Sequence, residues 1–405
     1  MNNLKRILKL AKDAWLILGI TFLSILLLEG VFYITFLIRD NTRTTFSDYR
    51  IKADTYSDSS WVQKYWEEFS KSSSSDRVQW MPYVYWRRKP FQGDYINIDS
   101  NGIRQTWKPN INHKEMGDPF TIFIFGGSTM WGTGARDNFT IPSILAKKLQ
   151  EKGIYTETIN FGESGYVSSQ EVIALILELK KGNIPDLAIF YDGVNDTYSA
   201  YQNHVAGLTH NEYNRMNEFN VSKSMGYKKM ISILIRENRM GSTVRFINGL
   251  IHRLNLLRKP RVAVNYQANN DNLAYDNEPL INDMIDVYNS NIEVVNALAD
   301  YYNFKYLFYW QPTIFQKKHL TEYEELHGQK SSSFHLFLKK TYDYLAQQSD
   351  FTEEGDLPFH NLSLVFSNVQ KPLFVDYCHL GELGNEMIAE KMAMDVFAIY
   401  TKKTF

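Results

Sequence analysis

Three residues in this sequence could together form a nucleophilic serine site. Ser128 follows an apolar run and two glycines in TIFIFGGSTMWGTG, and Asp376 precedes His379 by three positions in VDYCHLG. A serine becomes a nucleophile when a histidine accepts its proton and a carboxylate holds that histidine in the right tautomer. Residues at i and i+3 share one face of a helical turn, so the spacing suits this pairing. The predicted chemistry is nucleophilic catalysis by the serine.

Acyl transfer also needs hydrogen-bond donors for the charge that develops on the carbonyl oxygen. Gly165, in NFGESGY, offers a backbone N–H that no side chain shields, and Asn195, in FYDGVNDT, offers a side-chain amide. The N–H of Ser128 is a third candidate. Taken singly, Gly165 could equally be a turn glycine and Asn195 a helix cap, because both residue types favour turns.

The glycines around Ser128 do not fit three other motifs. A phosphate-binding loop requires a lysine after its glycines, and a dinucleotide-binding loop ends on glycine where this chain has Asp137. The α/β-hydrolase elbow needs a second glycine where Met130 stands. Ser128 is therefore a serine just past a strand end, with flanking glycines that let the backbone turn sharply.

The segments between these turns alternate between strand and helix patterns from residue 119 onward. The predicted strands are 120–125, 155–160, 187–191 and 304–310, and the predicted helices are 141–152, 169–181, 280–302 and 382–400. This alternation predicts an α/β fold, a three-layer sandwich in which a parallel sheet lies between helices. Ligands bind outside the carboxyl ends of such strands, and the GGS, GESG and DGVND turns all fall there.

The order of these turns resembles the SGNH/GDSL hydrolase family. FGGST, NFGESGY, YDGVND and DYCHLG match its first, second, third and fifth blocks, over residues 120–196 and 374–400. The resemblance implies a flavodoxin-like fold with Ser128 as nucleophile, His379 as base and Asp376 as its orienter. It also implies an oxyanion hole made by the N–H groups of Ser128 and Gly165 and the amide of Asn195. Neither a metal nor an organic cofactor is implied.

Two residues near the predicted triad need separate interpretation. Gly127 stands where the GDSL pattern has aspartate, but that aspartate is not a triad member, so the chemistry should survive. Cys378 lies between Asp376 and His379, and we interpret it as a packing residue because neighbours on a helical turn point in different directions.

The N-terminus contains an apolar run, residues 14–38, long enough to cross a bilayer, which takes about 20 residues. Charged residues near it include Lys5, Arg6, Lys9 and Lys12 before the run, Glu29 inside it, and Arg39, Asp40 and Arg43 after it. The balance favours a cytoplasmic N-terminus. The run ends in FYITFLIRD rather than in the small residues of a signal-peptide cleavage site, which favours a retained single-pass anchor.

These patterns predict four regions. They are a basic cytoplasmic tail (1–13), a transmembrane anchor (14–38), an extracytoplasmic lead-in segment with a hairpin near residues 100–102 (39–118), and a catalytic domain (119–405). Two irregular intervals in the last region, about 198–278 and 312–371, are interpreted as insertions that form a lid or a partner surface.

Composition limits the function classes. The net charge of −1 provides no global field for nucleic acid, and a single cysteine excludes both an intrachain disulfide and cysteine-rich zinc sites. The sequence predicts a membrane-anchored serine esterase that cleaves acyl esters, with acetyl as a candidate, on an envelope glycan or lipid. Alternatives are an O-acyltransferase, for which Glu29 would contact a membrane partner, and a non-catalytic glycan-binding or scaffold protein.

Overall fold

The computed structural model describes residues 2–42, 46–57, 59–109, 117–223, 246, 278–328, 332–347 and 358–404. The chain divides into two compact units, Met1–Phe46 with Tyr213–Leu273, and Ser47–Glu212 with Ala274–Phe405. Most of the predicted insertion at 198–278 lies outside the described residues.

The described helices and strands are as follows. The helices are α1 (Asn2–Thr42), α2 (Val62–Ser72), α3 (Ser128–Trp131), α4 (Ile141–Glu151), α5 (Ser168–Lys180), α6 (Val194–Asn203), α7 (Glu212–Lys223), α8 (Glu278–Tyr302), α9 (Glu322–Gly328), α10 (Ser333–Leu345) and α11 (Glu382–Thr404). The strands are β1 (Val78–Met81), β2 (Tyr85–Arg88), β3 (Phe91–Gln92), β4 (Asn97–Ile98), β5 (Phe120–Gly126), β6 (Thr156–Asn160), β7 (Leu187–Asp192), β8 (Lys305–Trp310) and β9 (Phe359–Asn361).

The first unit contains α1, whose stretch Lys5–Ile38 is long and apolar enough to cross a membrane. Its apolar side chains are exposed, as a lipid-facing helix requires. A signal sequence near the N-terminus can also form an apolar helix, so the retained anchor stays a prediction. Glu29 lies on this helix and is half-buried. The membrane partner and the orientation stay predictions.

The second unit is built on a five-stranded sheet in the order β6-β5-β7-β8-β9, with every neighbouring pair parallel. Side chains of β5 alternate between two cores because successive strand residues face opposite sides. Phe123 and Phe125 join a core with α5, α8 and α10, whereas Ile122 and Ile124 join a core with α4 and α11. The predicted three-layer α/β fold is therefore confirmed.

The sheet contains one strand that the sequence analysis missed. β9 pairs with β8 through Phe308–Trp310, and it lies inside the interval 312–371 that was interpreted as an insertion. The same interval contains α10, whose Phe334, Leu338 and Tyr342 are buried in the core. Three residues reading FHN are too short to show the alternation that identifies a strand, so this part of the core had no sequence signal.

The lead-in segment packs onto the loop that follows Ser128. The Tyr65 hydroxyl donates to the carbonyl of Gly132 at 3.2 Å and accepts from the N–H of Gly134 at 2.8 Å. Arg104 is fully buried and donates to the Asp137 carboxylate at 2.9 Å and to the carbonyl of Gly132 at 2.7 Å. The domain limit at residue 118 stays a prediction, but these contacts lie within one compact unit.

The region around residues 100–102 forms a tight turn. The N–H of Gly102 donates to the carbonyl of Asp99 at 3.1 Å, and Ile98 pairs with Arg104 in an antiparallel bridge. Gly102 has a φ of +77°, which favours glycine there. A second hairpin joins β1 to β2 in antiparallel register.

Candidate active site

Ser128 is the first residue of α3, which follows β5, the strand between β6 and β7 in the sheet. The strand ends at Gly126, Gly127 precedes the helix, and the half-buried Ser128 starts it. A backbone N–H in the first turn of a helix has no intrahelical partner. The N–H of Ser128 can therefore donate to a ligand, as the predicted oxyanion hole requires.

The structure brings the three predicted triad residues into one hydrogen-bonded chain. The hydroxyl Oγ of Ser128 lies 2.7 Å from Nε2 of His379, and Nδ1 of His379 lies 2.7 Å from Oδ2 of Asp376. Because a carboxylate only accepts, Nδ1 carries the hydrogen that points to Asp376, and Nε2 is left to accept the serine proton. This is the geometry that a general base needs.

Asp376 and His379 lie on a loop and not on the helical turn that their spacing predicted. Val375 N–H donates to the carbonyl of His379 at 2.9 Å, and Phe374 bridges Leu380 in antiparallel fashion. The reason is the Asp376 side chain itself, whose Oδ1 accepts the N–H of residue 378 at 3.1 Å and of His379 at 2.9 Å. Such side-chain bonds to the following backbone compete with helix formation.

The Asp376 carboxylate is buried yet charged. Burial alone would raise its pKa, but the His379 charge and the hydrogen bonds from His379 and from the Cys378 N–H outweigh that effect and lower the pKa to about 2. A carboxylate that stays ionised can hold the imidazole and stabilise the imidazolium formed when Ser128 loses its proton.

A cation that the sequence analysis missed lies beside the triad carboxylate. The guanidinium Nη1 of Arg50 is 4.0 Å from Oδ2 of Asp376. Two hydrogen bonds that Arg50 donates to Asp48, at 3.0 and 2.8 Å, and the face of Trp66, 3.8 Å from the guanidinium carbon, fix the Arg50 side chain. The sequence DYRIK around Arg50 matches no motif, so the position of Arg50 beside the triad becomes visible only in the folded structure.

Asn195 lies directly over Gly127. A Cβ placed on Gly127 would collide with Nδ2 of Asn195, although the φ of −78° at Gly127 would suit any residue. Glycine is therefore required at this position because a side chain would not fit, and not because of the backbone conformation. Gly127 thereby leaves room for the Asn195 amide beside the residue that precedes Ser128, where the predicted oxyanion donor would lie.

Gly165 lies in a turn that two contacts fix near the end of β5. Its φ is +80°, which favours glycine. The N–H of Glu163 donates to the carbonyl of Gly126 at 3.0 Å, and the Glu163 carboxylate pairs with the buried Arg88 at 3.2 Å. The turn is thereby held against the strand that carries Ser128. The two predicted oxyanion residues, Gly165 and Asn195, lie at the carboxyl ends of the strands that flank β5.

Cys378 is buried in the core beneath the loop, with Sγ 3.7 Å from Nδ1 of His379. Cys378, Asp376 and His379 are the one group of ligand atoms within 4.8 Å of one another that the described residues offer to a metal. Burial raises the pKa of the Cys378 thiol well above its usual value, and a metal binds thiolate. Asp376 and His379 are already paired, so the group fits a triad better than a metal site.

Comparison with known proteins gives one family match. Residues 122–392, more than half of the chain, match the family described as GDSL-like Lipase/Acylhydrolase. Comparison with curated proteins gives no match.

Several solved structures show weak similarity. A lipolytic protein of the G-D-S-L family from Desulfitobacterium hafniense is 8% identical, over 68% of this chain and 98% of its own, with a TM-score of 0.34. The acetyl xylan esterase AlAXEase is 15% identical, over 68% and 99%, at 0.33. A catalytic mutant of Axe2, an acetylxylan esterase from Geobacillus stearothermophilus, is 12% identical, over 70% and 96%, at 0.35.

These TM-scores are too low to bear on function, so the assignment rests on the match over residues 122–392. That match spans β5, with Ser128 after it, through most of α11, with His379 before it. The chain belongs to the GDSL-like lipase/acylhydrolase family and is an SGNH-type ester hydrolase.

Proposed function

We propose that this protein is a membrane-anchored serine esterase that removes acyl groups, with acetyl as the first candidate, from an envelope glycan. The observation that carries the proposal is the hydrogen-bonded chain from Ser128 through His379 to Asp376. Family membership supports ester hydrolysis, and the geometry supports a serine nucleophile.

The proposed reaction begins when Ser128 Oγ attacks the ester carbonyl carbon and passes its proton to Nε2 of His379. The carbonyl oxygen becomes an oxyanion, to which Ser128 N–H, Gly165 N–H and the Asn195 amide donate. The intermediate collapses, the ester C–O bond breaks, and the leaving alcohol takes the proton from His379. Water then attacks the acyl-serine with His379 again as base, and the acid and free Ser128 are released.

The β1–β2 hairpin supports a glycan as the alcohol part of the substrate. Its Trp86 lies beside the oxyanion turn, with a ring atom 3.5 Å from where a Cβ on Gly165 would be. The same hairpin exposes Trp80 and Tyr83, at 65% and 72% of their surface. Flat aromatic rings with a polar tip give contact area at low entropy cost, and sugar rings stack on such faces.

The N-terminal helix supports an envelope location. Lys5–Ile38 could span a bilayer, and the basic residues before it favour a cytoplasmic N-terminus. The catalytic unit would then lie outside the cytoplasm, where acylated envelope glycans and lipids are found.

The test uses the full chain in detergent micelles with acetylated oligosaccharides, and measures released acetate. We expect release by the wild type and none by Ser128→Ala. Release at equal rates by both would overturn the proposal. An added unacetylated oligosaccharide tests the alternative, because acetyl appearing on it at the expense of free acetate would identify an acyltransferase. Hydrolysis of acylated lipid with no hydrolysis of the oligosaccharides would assign the substrate to lipid instead.

A further inference from the structure

The segment that follows α6, residues 204–211, forms a loop beside the site. It lies outside the motifs that identify the family, at the start of the interval that was interpreted as an insertion. Hydrogen bonds that fasten it to α6 are Ser199 Oγ to the Leu208 carbonyl, Asn203 Nδ2 to the Thr209 carbonyl (3.0 Å), Asn211 N–H to Gln202 Oε1 (2.8 Å) and Gln202 Nε2 to Asn211 Oδ1 (3.1 Å). Four hydrogen bonds therefore join this loop to one helix.

The far end of the loop is fastened to the lead-in segment. The Tyr85 hydroxyl on β2 donates to Oε1 of Glu212 at 2.9 Å, and the Thr209 hydroxyl donates to Oε2 of the same carboxylate. The loop therefore bridges α6 and the β1–β2 hairpin. Because both ends of the loop are fastened, a side chain that the loop places between α6 and the hairpin is held in position.

That side chain is His210, and it reaches both predicted oxyanion turns. Its Nε2 lies 3.3 Å from the backbone carbonyl oxygen of Asn195. Its Nδ1 lies 3.2 Å from where a Cβ on Gly165 would be. The imidazole also packs on the Tyr198 ring, with centroids 4.9 Å apart. One half-buried imidazole thus contacts the two turns that must act together on a single oxygen atom.

We propose that His210 is a positioning residue that holds the Asn195 and Gly165 turns at the separation the oxyanion requires. The inference rests on the proposed function, because it assigns a role within that site. A carbonyl only accepts, so Nε2 carries a hydrogen and donates it to Asn195. This bond forms with the neutral Nε2–H tautomer and with the charged imidazolium alike, so the positioning does not depend on protonation.

Such a residue is needed because oxyanion stabilisation tolerates only small errors in the positions of the hydrogen-bond donors. Donors act only when they lie within hydrogen-bond distance of the developing oxyanion, and a misplacement of about 1 Å can cost on the order of a hundredfold in rate. The two turns follow different strands, and the His210 imidazole lies against both. Loss of His210 should therefore reduce the stabilisation of the transition state more than it reduces the affinity for substrate.

The experiment compares three variants of the full chain with p-nitrophenyl acetate, a small ester that needs no glycan contact. His210→Ala removes the donor, and His210→Gln places an amide N–H near the position of Nε2. The control is His204→Ala, which removes an exposed histidine six residues earlier. We expect His210→Ala to lower kcat about tenfold with KM and Tm nearly unchanged, His210→Gln to recover most of the rate, and the control to match wild type.

Wild-type kcat in His210→Ala would overturn the inference, as would an equal loss in His210→Ala and His210→Gln, since the donor would then be irrelevant. A loss confined to KM, or one that accompanies a lower Tm, would assign His210 to binding or to loop packing. The rate at which a fluorophosphonate labels Ser128 separates this failure from failure of the proposed function. An unlabelled wild type contradicts the function, whereas equal labelling of wild type and His210→Ala contradicts only the role of His210.

Discussion

On the base side of Ser128, formed by Asp376 and His379, a buried carboxylate is surrounded by donors. On the oxyanion side, formed by Gly165 and the junction of β7 with α6 at 192–196, the buried carboxyl groups have fewer donors. Asp376 is 6% exposed and Glu171, behind the oxyanion side, is 0% exposed, so the two carboxyl groups do not differ in burial. Asp376 accepts two backbone N–H groups and the imidazole, whereas Glu171 faces the Asp192 carboxyl group and accepts no hydrogen bond from an N–H donor among the described residues.

The pKa values follow the supply of donors. The pKa of Asp376 is lowered to about 2, against the effect of its burial. Burial and the neighbouring Asp192 raise the pKa of Glu171 well above its usual value, and burial with Asp196 does the same for Asp192. Asp196 is intermediate, since Ser168 donates to its Oδ1 twice but burial still raises its pKa.

This difference has a consequence for catalysis. The base side needs an anion, because a positive imidazolium forms there during the reaction. The oxyanion side must not carry one, because Asp192 and Asp196 flank the amide of Asn195 in sequence and an ionised carboxylate would repel the developing oxyanion. The raised pKa values favour the neutral form of these carboxyl groups where negative charge has to develop.

The largest effect should come from neutralising the base side. Asp376→Asn removes the charge and favours the wrong histidine tautomer, so kcat should fall by about four orders of magnitude while the protein stays folded. The measurement is kcat for p-nitrophenyl acetate together with the melting curve. Glu171→Gln makes the same carboxyl-to-amide change at a site that is already neutral, and it is the matched control. Full rate in Asp376→Asn would refute the role of Asp376.

A smaller effect should come from moving the oxyanion donor. Gly127→Ala places a methyl group where Nδ2 of Asn195 lies, so the amide must shift. We expect a loss in kcat of about a hundredfold, as for removal of one oxyanion donor.

A double-mutant cycle identifies the cause of that loss. Once Asn195→Ala has removed the amide, Gly127→Ala should cost little more, because the two changes act on one interaction. Additive losses would mean that Gly127 affects catalysis by another route, such as displacement of Ser128.

The motifs predicted Ser128, His379 and Asp376 as the triad, and Gly165 and Asn195 as oxyanion donors. These residues could be predicted because the chemistry restricts which residue types can occupy those positions. The sheet followed from long apolar runs. The β9 strand, the Asp376 loop, Arg50 and His210 did not follow, since each depends on tertiary contacts. Arg50 lies 326 positions from Asp376 in sequence, and no local pattern records such a contact. Asp376 formed a loop because its side chain bonds its own backbone, a preference that the spacing rule ignored.

The smallest effect concerns stability alone. A carboxyl group whose pKa is raised by folding contributes full stability below its unfolded pKa, and that stability is lost as pH rises through the folded value. Wild type should therefore lose stability between pH 5 and pH 8, and Glu171→Gln should lose less, so the variant gains relative to wild type at the higher pH. Chemical denaturation of both proteins at the two pH values measures this. Parallel pH dependence in the two proteins would contradict a protonated Glu171.

The central claim is that the base side makes Ser128 a nucleophile, and covalent labelling tests it most directly. The full chain in detergent is treated with a fluorophosphonate probe, and the labelled peptide is identified by mass. We predict one label, on Ser128, lost in Ser128→Ala and strongly slowed in both His379→Ala and Asp376→Asn. A folded protein that takes no label, or that is labelled equally well without His379, would contradict the account.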